Sequence, residues 1–308
     1  MDAIDLIKKG RIKRYFRATR KLNTAGLVSH ITQRAAGKEP LFLEDDDYLL
    51  MIGLLKQIAE KYRIEVYTFC MMPNHIHLLF RPEEGNLYDA MRDIFSQYAA
   101  RFNHKYERKG HLFGGPYRQA VCLDDTYLIA ASLYIHWNPV RAGLVSDPLR
   151  YRWSSCRLYC NDNAPVSFVK PGFILGLLSG AQGKRKKKYH LMLNRSNVLE
   201  PGHVLEQEDA IERFRHRLSS LFPLLFRWIA NKKEVARTSG LDLLDVELLE
   251  QEIEDLRKGC CSARKPETKK ARKYLIEQLV ARGYARGEIA ERLGVSRKTV
   301  YNILKASV

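Results

Sequence analysis

The chain has 308 residues and a formal net charge of +17, with 52 Lys and Arg against 35 Asp and Glu. This length has room for two domains and a small third one. The charge favours a polyanionic partner, nucleic acid above all, over a merely basic protein kept soluble by its charge. No apolar run is long enough to span a bilayer, and residues 1–5 lack the order of a secretion signal, so no membrane partner is expected.

The six cysteines contain no Cys-x-x-Cys pair, which indicates neither a structural zinc site nor a redox motif. Free thiols fit a reducing compartment. We therefore expect a cytoplasmic protein.

The first half of the chain alternates segments of strand and helix character. Strands are predicted at 27–34, 64–72, 75–81 and 117–123, where β-forming residues are enriched. One helix follows the acidic start at 44–47, and another runs from 87 to 102. The apolar face of the first is assigned to Leu49, Ile52, Leu55 and Ile58. This order predicts an α+β fold, a ferredoxin-like antiparallel sheet with helices, over residues 1–160.

A further helix is predicted from Asp124 to Asn138, where Pro139 should end it. Residues 161–203 are interpreted as a linker that carries the basic run at 184–188, and 204–308 as an all-α region.

The last part of this region has the pattern of a helix-turn-helix at about 268–306. Gly283 is predicted to end one helix, Gly294 to form the turn and Ser296 to cap the final helix. Val300, Ile303 and Leu304 should face inward. The outward set suits the bases and phosphates of duplex DNA, and it comprises Arg297, Lys298, Tyr301, Asn302 and Lys305.

Two histidines in the third predicted strand are the first candidates for chemistry. His75 and His77 are two residues apart, so their imidazoles share one face of the strand while Ile76 points to the core. A pair of imidazoles is a good start for a divalent metal site, although two exposed histidines are the ordinary alternative.

Tyr134 and Asn138 are four residues apart and share one face of a predicted helix. A tyrosine beside a metal can attack a DNA phosphate, because the cation offsets the charge that repels the nucleophile. The carbonyl of Asn138 is the candidate third ligand. Both residues also have structural explanations, as a core aromatic and a turn former, and Tyr127 is an alternative nucleophile. His30 and His136 show no clear partner in the sequence.

Two motifs carry a resemblance to a known family. Residues 72–79 (MPNHIHLL) and 134–145 (YIHWNPVRAGLV), with the Trp153-Ser154-Ser155 segment, resemble REP-associated tyrosine transposases, single-tyrosine members of the HUH endonuclease superfamily. The resemblance covers roughly residues 20–160. The segment 113–118 departs from the family pattern, since it lacks the Gln and Arg of the Trp-Gln-x-Arg-type segment that the family commonly has before the fourth strand.

The resemblance implies a ferredoxin-like domain that cuts single-stranded DNA beside hairpin or repeat ends through a 5′-phosphotyrosine. It implies Mg²⁺ or Mn²⁺ on His75, His77 and Asn138, and it favours Tyr134 over Tyr127 as nucleophile. It favours a bacterial protein that is associated with the nucleoid and could act as a homodimer. Two alternatives are a nicking enzyme of plasmid replication or conjugation and a non-catalytic, sequence-specific DNA-binding regulator.

Overall fold

The computed structural model describes residues 15–16, 21, 23, 25–37, 39–122, 124–196, 210–239, 246–258, 266–281, 284 and 286–305. Its sheet consists of β1 (Tyr15–Phe16), β2 (Ser29–Arg34), β3 (Ile64–Met72), β4 (His75–Pro82) and β5 (Arg118–Val121). No helix among these residues has both the length and the apolar character needed to cross a bilayer.

The strands are ordered β1-β5-β2-β4-β3, and all neighbouring pairs are antiparallel. The four strands predicted from the sequence form the ferredoxin-like arrangement, in which β2 and β4 lie between β5 and β3. The predicted fold class is confirmed. The two-residue β1 is an addition at the edge beside β5.

Three helices accompany the sheet: α1 (Asp45–Lys61), α2 (Leu87–Lys105) and α3 (Asp125–Arg141). The predicted apolar face of α1 is partly wrong, because Leu49 is 53% exposed and Met51 and Leu54 are buried instead. Residues chosen at a constant spacing of three drift around a helix that has 3.6 residues per turn. The buried stripe follows the mixed spacing of three and four residues.

Helix α3 does not end at Asn138 as predicted but continues through Pro139 to Arg141. A proline in the last turn removes only its own N–H from the helical hydrogen bonds. The turn still closes around it, since the N–H of Ala142 donates to Asn138 O and that of Leu144 donates to Pro139 O, each at 2.9 Å.

The predicted linker at 161–203 is wrong for much of its length. After a 3₁₀ turn (Pro148–Arg150) come α4 (Cys156–Cys160), α5 (Pro171–Gly176) and α6 (Gln182–Arg195). Tyr189, Met192 and Leu193 of α6 are buried in the same core as the sheet. The basic run at 184–188 therefore forms the first turns of a packed helix, because every third or fourth residue after it is apolar.

Three further helices join this core: α7 (Ala210–Leu221), α8 (Pro223–Ala230) and α9 (Glu234–Ser239). Ile211, Phe214 and Leu218 follow the spacing of an amphipathic helix and are buried, and α7 packs along α3. The all-α region predicted from residue 204 is thus divided, and its first part belongs with the sheet.

A second core is formed by α10 (Val246–Lys258), α11 (Pro266–Ala281), α12 (Arg286–Arg292) and α13 (Arg297–Lys305). Gly294 has φ +63°, which suits glycine in the turn between α12 and α13. Ser296 Oγ accepts from the N–H of Thr299 at 3.1 Å, so the predicted cap is present. Val300 is buried and Ile303 partly so. Gly283 and the side chain of Leu304 lie outside the described residues.

Candidate functional site

The backbone of β4 places His75 and His77 on one face of the sheet. Across the β3–β4 ladder, Cys70 lies opposite His77, and Thr68, two residues earlier on β3, shares that face. The hydroxyls of Thr68 and Ser132 are 3.1 Å apart, and Ser132 belongs to α3. Helix α3 therefore covers the face of the sheet that carries the two imidazoles, as required if its side chains are to act with them.

The two imidazoles are buried and adjacent. Their ring centroids are 4.8 Å apart, and the ring planes are nearly perpendicular. Nδ1 of His75 is 2.7 Å from the side-chain oxygen of Asn74, which can only accept, so this nitrogen is the donor. In a neutral ring the proton on Nδ1 leaves the lone pair on Nε2. His75 is thus held in the tautomer that ligates a metal through Nε2.

Burial lowers the pKa of His77 well below its usual value, and the positive charges of Arg34 and Arg141 act in the same direction. His77 is therefore neutral at neutral pH, the state in which an imidazole binds a metal.

The donor atoms of this site suit a cation. Nε2 of His77 is buried and has no hydrogen-bond partner among the described residues. The same holds for both polar atoms of the Asn138 side chain, which is completely buried one helical turn after Tyr134. Buried polar atoms are rarely left without a partner, and of these atoms Nε2 of His77 and Oδ1 of Asn138 carry lone pairs that could accept a divalent ion. No group of three or more His, Cys, Asp or Glu in the described part of the chain could hold a metal alone.

His30 belongs to this site, although its sequence context gave it no partner. Its Nε2 lies 2.9 Å from Nδ1 of His77, and the two rings stack at a centroid distance of 5.2 Å. Thr32 is directly opposite His77 across the β2–β4 ladder, and His30 is two residues away on the same face. The signal in the sequence was the spacing of His30 and Thr32, which puts both on one face of β2. It predicts a contact with His77 only when the register between β2 and β4 is known. Burial lowers the pKa of His30 to about 4.

Tyr134 lies on α3 and is buried, with 3% of its surface exposed. The guanidinium of Arg141 is 4.8 Å from the centre of its ring. Burial raises the pKa of the Tyr134 phenol, and the charges of Arg141, Arg34 and Arg213 partly oppose this rise. Arg34 and Arg141 also lower the pKa of His77, so the same two positive charges act on the tyrosine and on this imidazole. The phenol is therefore protonated at neutral pH.

Helix α7 covers the tyrosine. The ring of Phe214 meets the Tyr134 ring edge to face, with centroids 5.8 Å apart. Arg215 of the same helix forms an ion pair with Asp124 at the start of α3, at 3.2 Å. The sequence predicted only an all-α region here, and nothing in it located Phe214 against Tyr134. In this conformation the side chain of Tyr134 is buried against α7.

A second polar contact with the start of α3 lies next to the ion pair between Arg215 and Asp124. The carboxylate of Asp125 accepts from the backbone N–H groups of Glu234 and Val235 at 2.8 and 2.7 Å. This contact ties α9 to the first turn of α3. Two carboxylates at the start of α3 therefore hold α7 and α9, in addition to the apolar packing of Phe214 and its neighbours.

The other residues considered from the sequence have structural surroundings. Tyr127 is buried two turns before Tyr134 on α3. His136 has partners that its sequence context did not reveal, since its Nδ1 is 2.8 Å from the hydroxyl of Tyr189 and its Nε2 is 2.9 Å from that of Ser155. Burial lowers its pKa to about 3. His136 therefore joins α3 to α6 as part of the core.

In the second core, four of the predicted DNA-contacting side chains are exposed on α13. They are Arg297, Lys298, Tyr301 and Asn302. The guanidinium of Arg286 lies 5.4 Å from the centre of the Tyr301 ring. The side chain of Lys305 lies outside the described residues. The exposed set forms one basic and polar surface, which stays a candidate for DNA contact.

Comparison with known proteins locates two families in the chain. Residues 24–138 match the model of the IS200-like transposases, and residues 264–307 match the helix-turn-helix domain of resolvase. These matches support the resemblance to transposases and the helix-turn-helix found in the sequence, and they support DNA binding. No protein of curated function matches the chain. It is similar to a solved REP-associated tyrosine transposase bound to a REP hairpin, with 14% identity, a TM-score of 0.42, and coverage of 50% of this chain and 94% of that one.

Proposed function

Because residues 24–138 form a domain of the IS200-like transposase family, we propose that the protein is a metal-dependent endonuclease and strand transferase for single-stranded DNA. The observation that carries the proposal is the pairing of His75 and His77 on the sheet face covered by the helix of Tyr134. Its substrates would be hairpin or repeat ends, which it cuts and rejoins through a 5′-phosphotyrosine.

We propose that His75, His77 and Asn138 hold Mg²⁺ or Mn²⁺. When bound, the ion offsets the charge of the phosphate and orients its phosphorus. Imidazoles alone would favour a later transition metal, and the carboxamide oxygen together with a phosphate oxygen keeps Mg²⁺ and Mn²⁺ suitable. Asn74 supports this role by holding His75 in the required tautomer.

Tyr134 would be the nucleophile. Its oxygen forms a bond to phosphorus while the bond from phosphorus to the 3′ oxygen breaks, and the phenolic proton is lost to solvent or to the departing oxygen. Arg141 and Arg34 stabilise the phenolate, since their charges already oppose the rise in the pKa of Tyr134. The product is a phosphodiester like the starting one, so a 3′-hydroxyl can attack it and rejoin the strand.

The cover over Tyr134 adds a step to this function. Because Tyr134 is buried with its ring against Phe214, α7 has to move away from α3 before DNA can react with the hydroxyl. Two carboxylates hold this cover to α3, Asp124 for α7 and Asp125 for α9, and a movement of these helices costs less than unfolding the sheet.

The burial of Tyr134 also favours a second candidate function. A protein whose tyrosine stays covered would bind DNA through its helix-turn-helix and act as a regulator that does not cut. The two functions differ in one observable product, the covalent link between protein and DNA.

The test is capture of that product. The full-length protein is mixed with a labelled hairpin bearing single-stranded flanks, with Mn²⁺ or Mg²⁺ or with EDTA, and resolved under denaturing conditions. We expect a labelled protein band with the metal and none with EDTA. The label should be retained when it lies 3′ of the cut and lost when it lies 5′ of it. An absence of adduct over a panel of hairpins, with DNA binding intact, would favour the regulator.

The surface of α13 gives a separate prediction. Arg297→Ala and Lys298→Ala should each weaken binding to duplex DNA, and the slope of log affinity against log salt should fall by about 0.9 for each phosphate contact removed. Fluorescence anisotropy over a salt series measures both. Lys258→Ala is the matched control, because this exposed lysine of α10 is paired with Glu254. If Lys258→Ala weakened DNA binding equally, α13 would not be the surface that contacts DNA.

A further inference from the structure

His30 makes a contact that bears directly on the state of His77. The two rings meet through Nε2 of His30 and Nδ1 of His77, which are 2.9 Å apart in the buried space between β2 and β4. Resting on the proposed function, we infer that His30 is a positioning residue: it accepts a hydrogen bond from Nδ1–H of His77 and so leaves the Nε2 lone pair of His77 for the metal.

The inference follows from the number of N–H groups and lone pairs on two neutral imidazole rings. Each neutral imidazole has one N–H and one lone pair, so one ring donates in this contact and the other accepts. If His30 donated, the proton of His77 would lie on Nε2, and that nitrogen could not ligate a metal. If His77 donates, its Nε2 carries a lone pair. Only the second arrangement is compatible with a metal ligand at this position.

The tautomer of His75 is fixed in the same way. Nδ1 of His75 donates to the side-chain oxygen of Asn74 at 2.7 Å, which directs the lone pair of His75 to Nε2. With His30 as acceptor for His77, both imidazoles present Nε2 as the ligating atom. His75 and His77, on one face of β4, then both offer Nε2 to a metal. The tautomer of each ring is fixed by its own partner, Asn74 for His75 and His30 for His77.

The remaining polar group at this contact does not decide the tautomer. The hydroxyl of Thr32 lies 3.3 Å from Nδ1 of His77 and 3.4 Å from Nε2 of His30. Because a hydroxyl can rotate to donate or to accept, it is compatible with either arrangement. Nδ1 of His30 has no hydrogen-bond partner among the described residues, so it does not select the proton position of its own ring either.

The test reads the tautomer without any metal. In full-length protein labelled with ¹⁵N-histidine, long-range ¹H–¹⁵N NMR should show His77 protonated at Nδ1. His30→Leu, which removes the acceptor, should lose this preference, whereas Thr32→Val should retain it. In a titration of Mn²⁺ followed by electron paramagnetic resonance, His30→Leu should bind about 10- to 100-fold more weakly, and His30→Gln, whose amide oxygen can accept, should bind more tightly than His30→Leu.

Two results would overturn the inference. One is wild-type His77 protonated at Nε2, and this reading needs no variant to fold. The other is a folded His30→Leu protein, checked by circular dichroism, that keeps the wild-type tautomer of His77. If wild-type protein bound neither Mn²⁺ nor Mg²⁺, the metal in the proposed function would fail, whereas the tautomer spectrum would still decide the role of His30.

Discussion

Tyr134→Phe protein is expected to form no covalent adduct with hairpin-bearing single-stranded DNA in Mn²⁺ or Mg²⁺. The substitution removes only the oxygen that would bond to phosphorus, so the covalent product should disappear completely instead of forming more slowly. The change is small for the fold, because the ring still fills its site against Phe214 and Arg141. We expect the free energy of unfolding to fall by at most about 3 kcal/mol through the lost hydroxyl.

The matched control is Tyr127→Phe. Tyr127 lies on the same helix and is equally buried, so its loss of a hydroxyl tests the structural effect of such a change in α3. This variant should keep forming the adduct. If Tyr134→Phe forms the adduct at the wild-type rate, Tyr134 is not the nucleophile, and mass spectrometry of the linked peptide would identify the residue that is.

The parts of this molecule that local pattern determines could be predicted from the sequence. The alternation of β3 and β4 and the turn between them placed His75 and His77 on one face, and the cap at Ser296 and the glycine at 294 marked the helix-turn-helix. The helix of Tyr134 was also found, although Pro139 does not end it, since a proline in a last turn costs a single hydrogen bond.

What depends on distant contacts could not be predicted. His30 approaches His77 through a strand register that joins residues 47 apart in the chain, and no local pattern encodes this register. The segment 161–203 resembled a linker because its basic run dominates the composition, whereas burial of Tyr189, Met192 and Leu193 determines its structure. Likewise, the amphipathic spacing of α7 predicts a buried face, but it does not predict that this face packs on Tyr134.

Phe214→Ala is expected to accelerate adduct formation. The ring of Phe214 is part of the contact that keeps α7 on Tyr134, and replacing a buried Phe by Ala costs about 3–5 kcal/mol in favourable packing. If about 1.4–2.8 kcal/mol of that is lost from docking of α7, the open population rises about 10- to 100-fold. The rate should rise accordingly as long as opening limits cleavage. The initial rate of adduct formation measures this, and nitration of Tyr134 without DNA reports its exposure independently.

Phe102→Ala separates this effect from general destabilisation. Phe102 is a similarly buried phenylalanine on α2, so its removal should lower the free energy of unfolding without uncovering Tyr134. We expect this variant to leave both the rate of adduct formation and the nitration of Tyr134 near wild type. If Phe214→Ala increases nitration but not the rate, a later step limits cleavage. If it increases neither, α7 is not the barrier, and access to Tyr134 must come from movement of α3 itself.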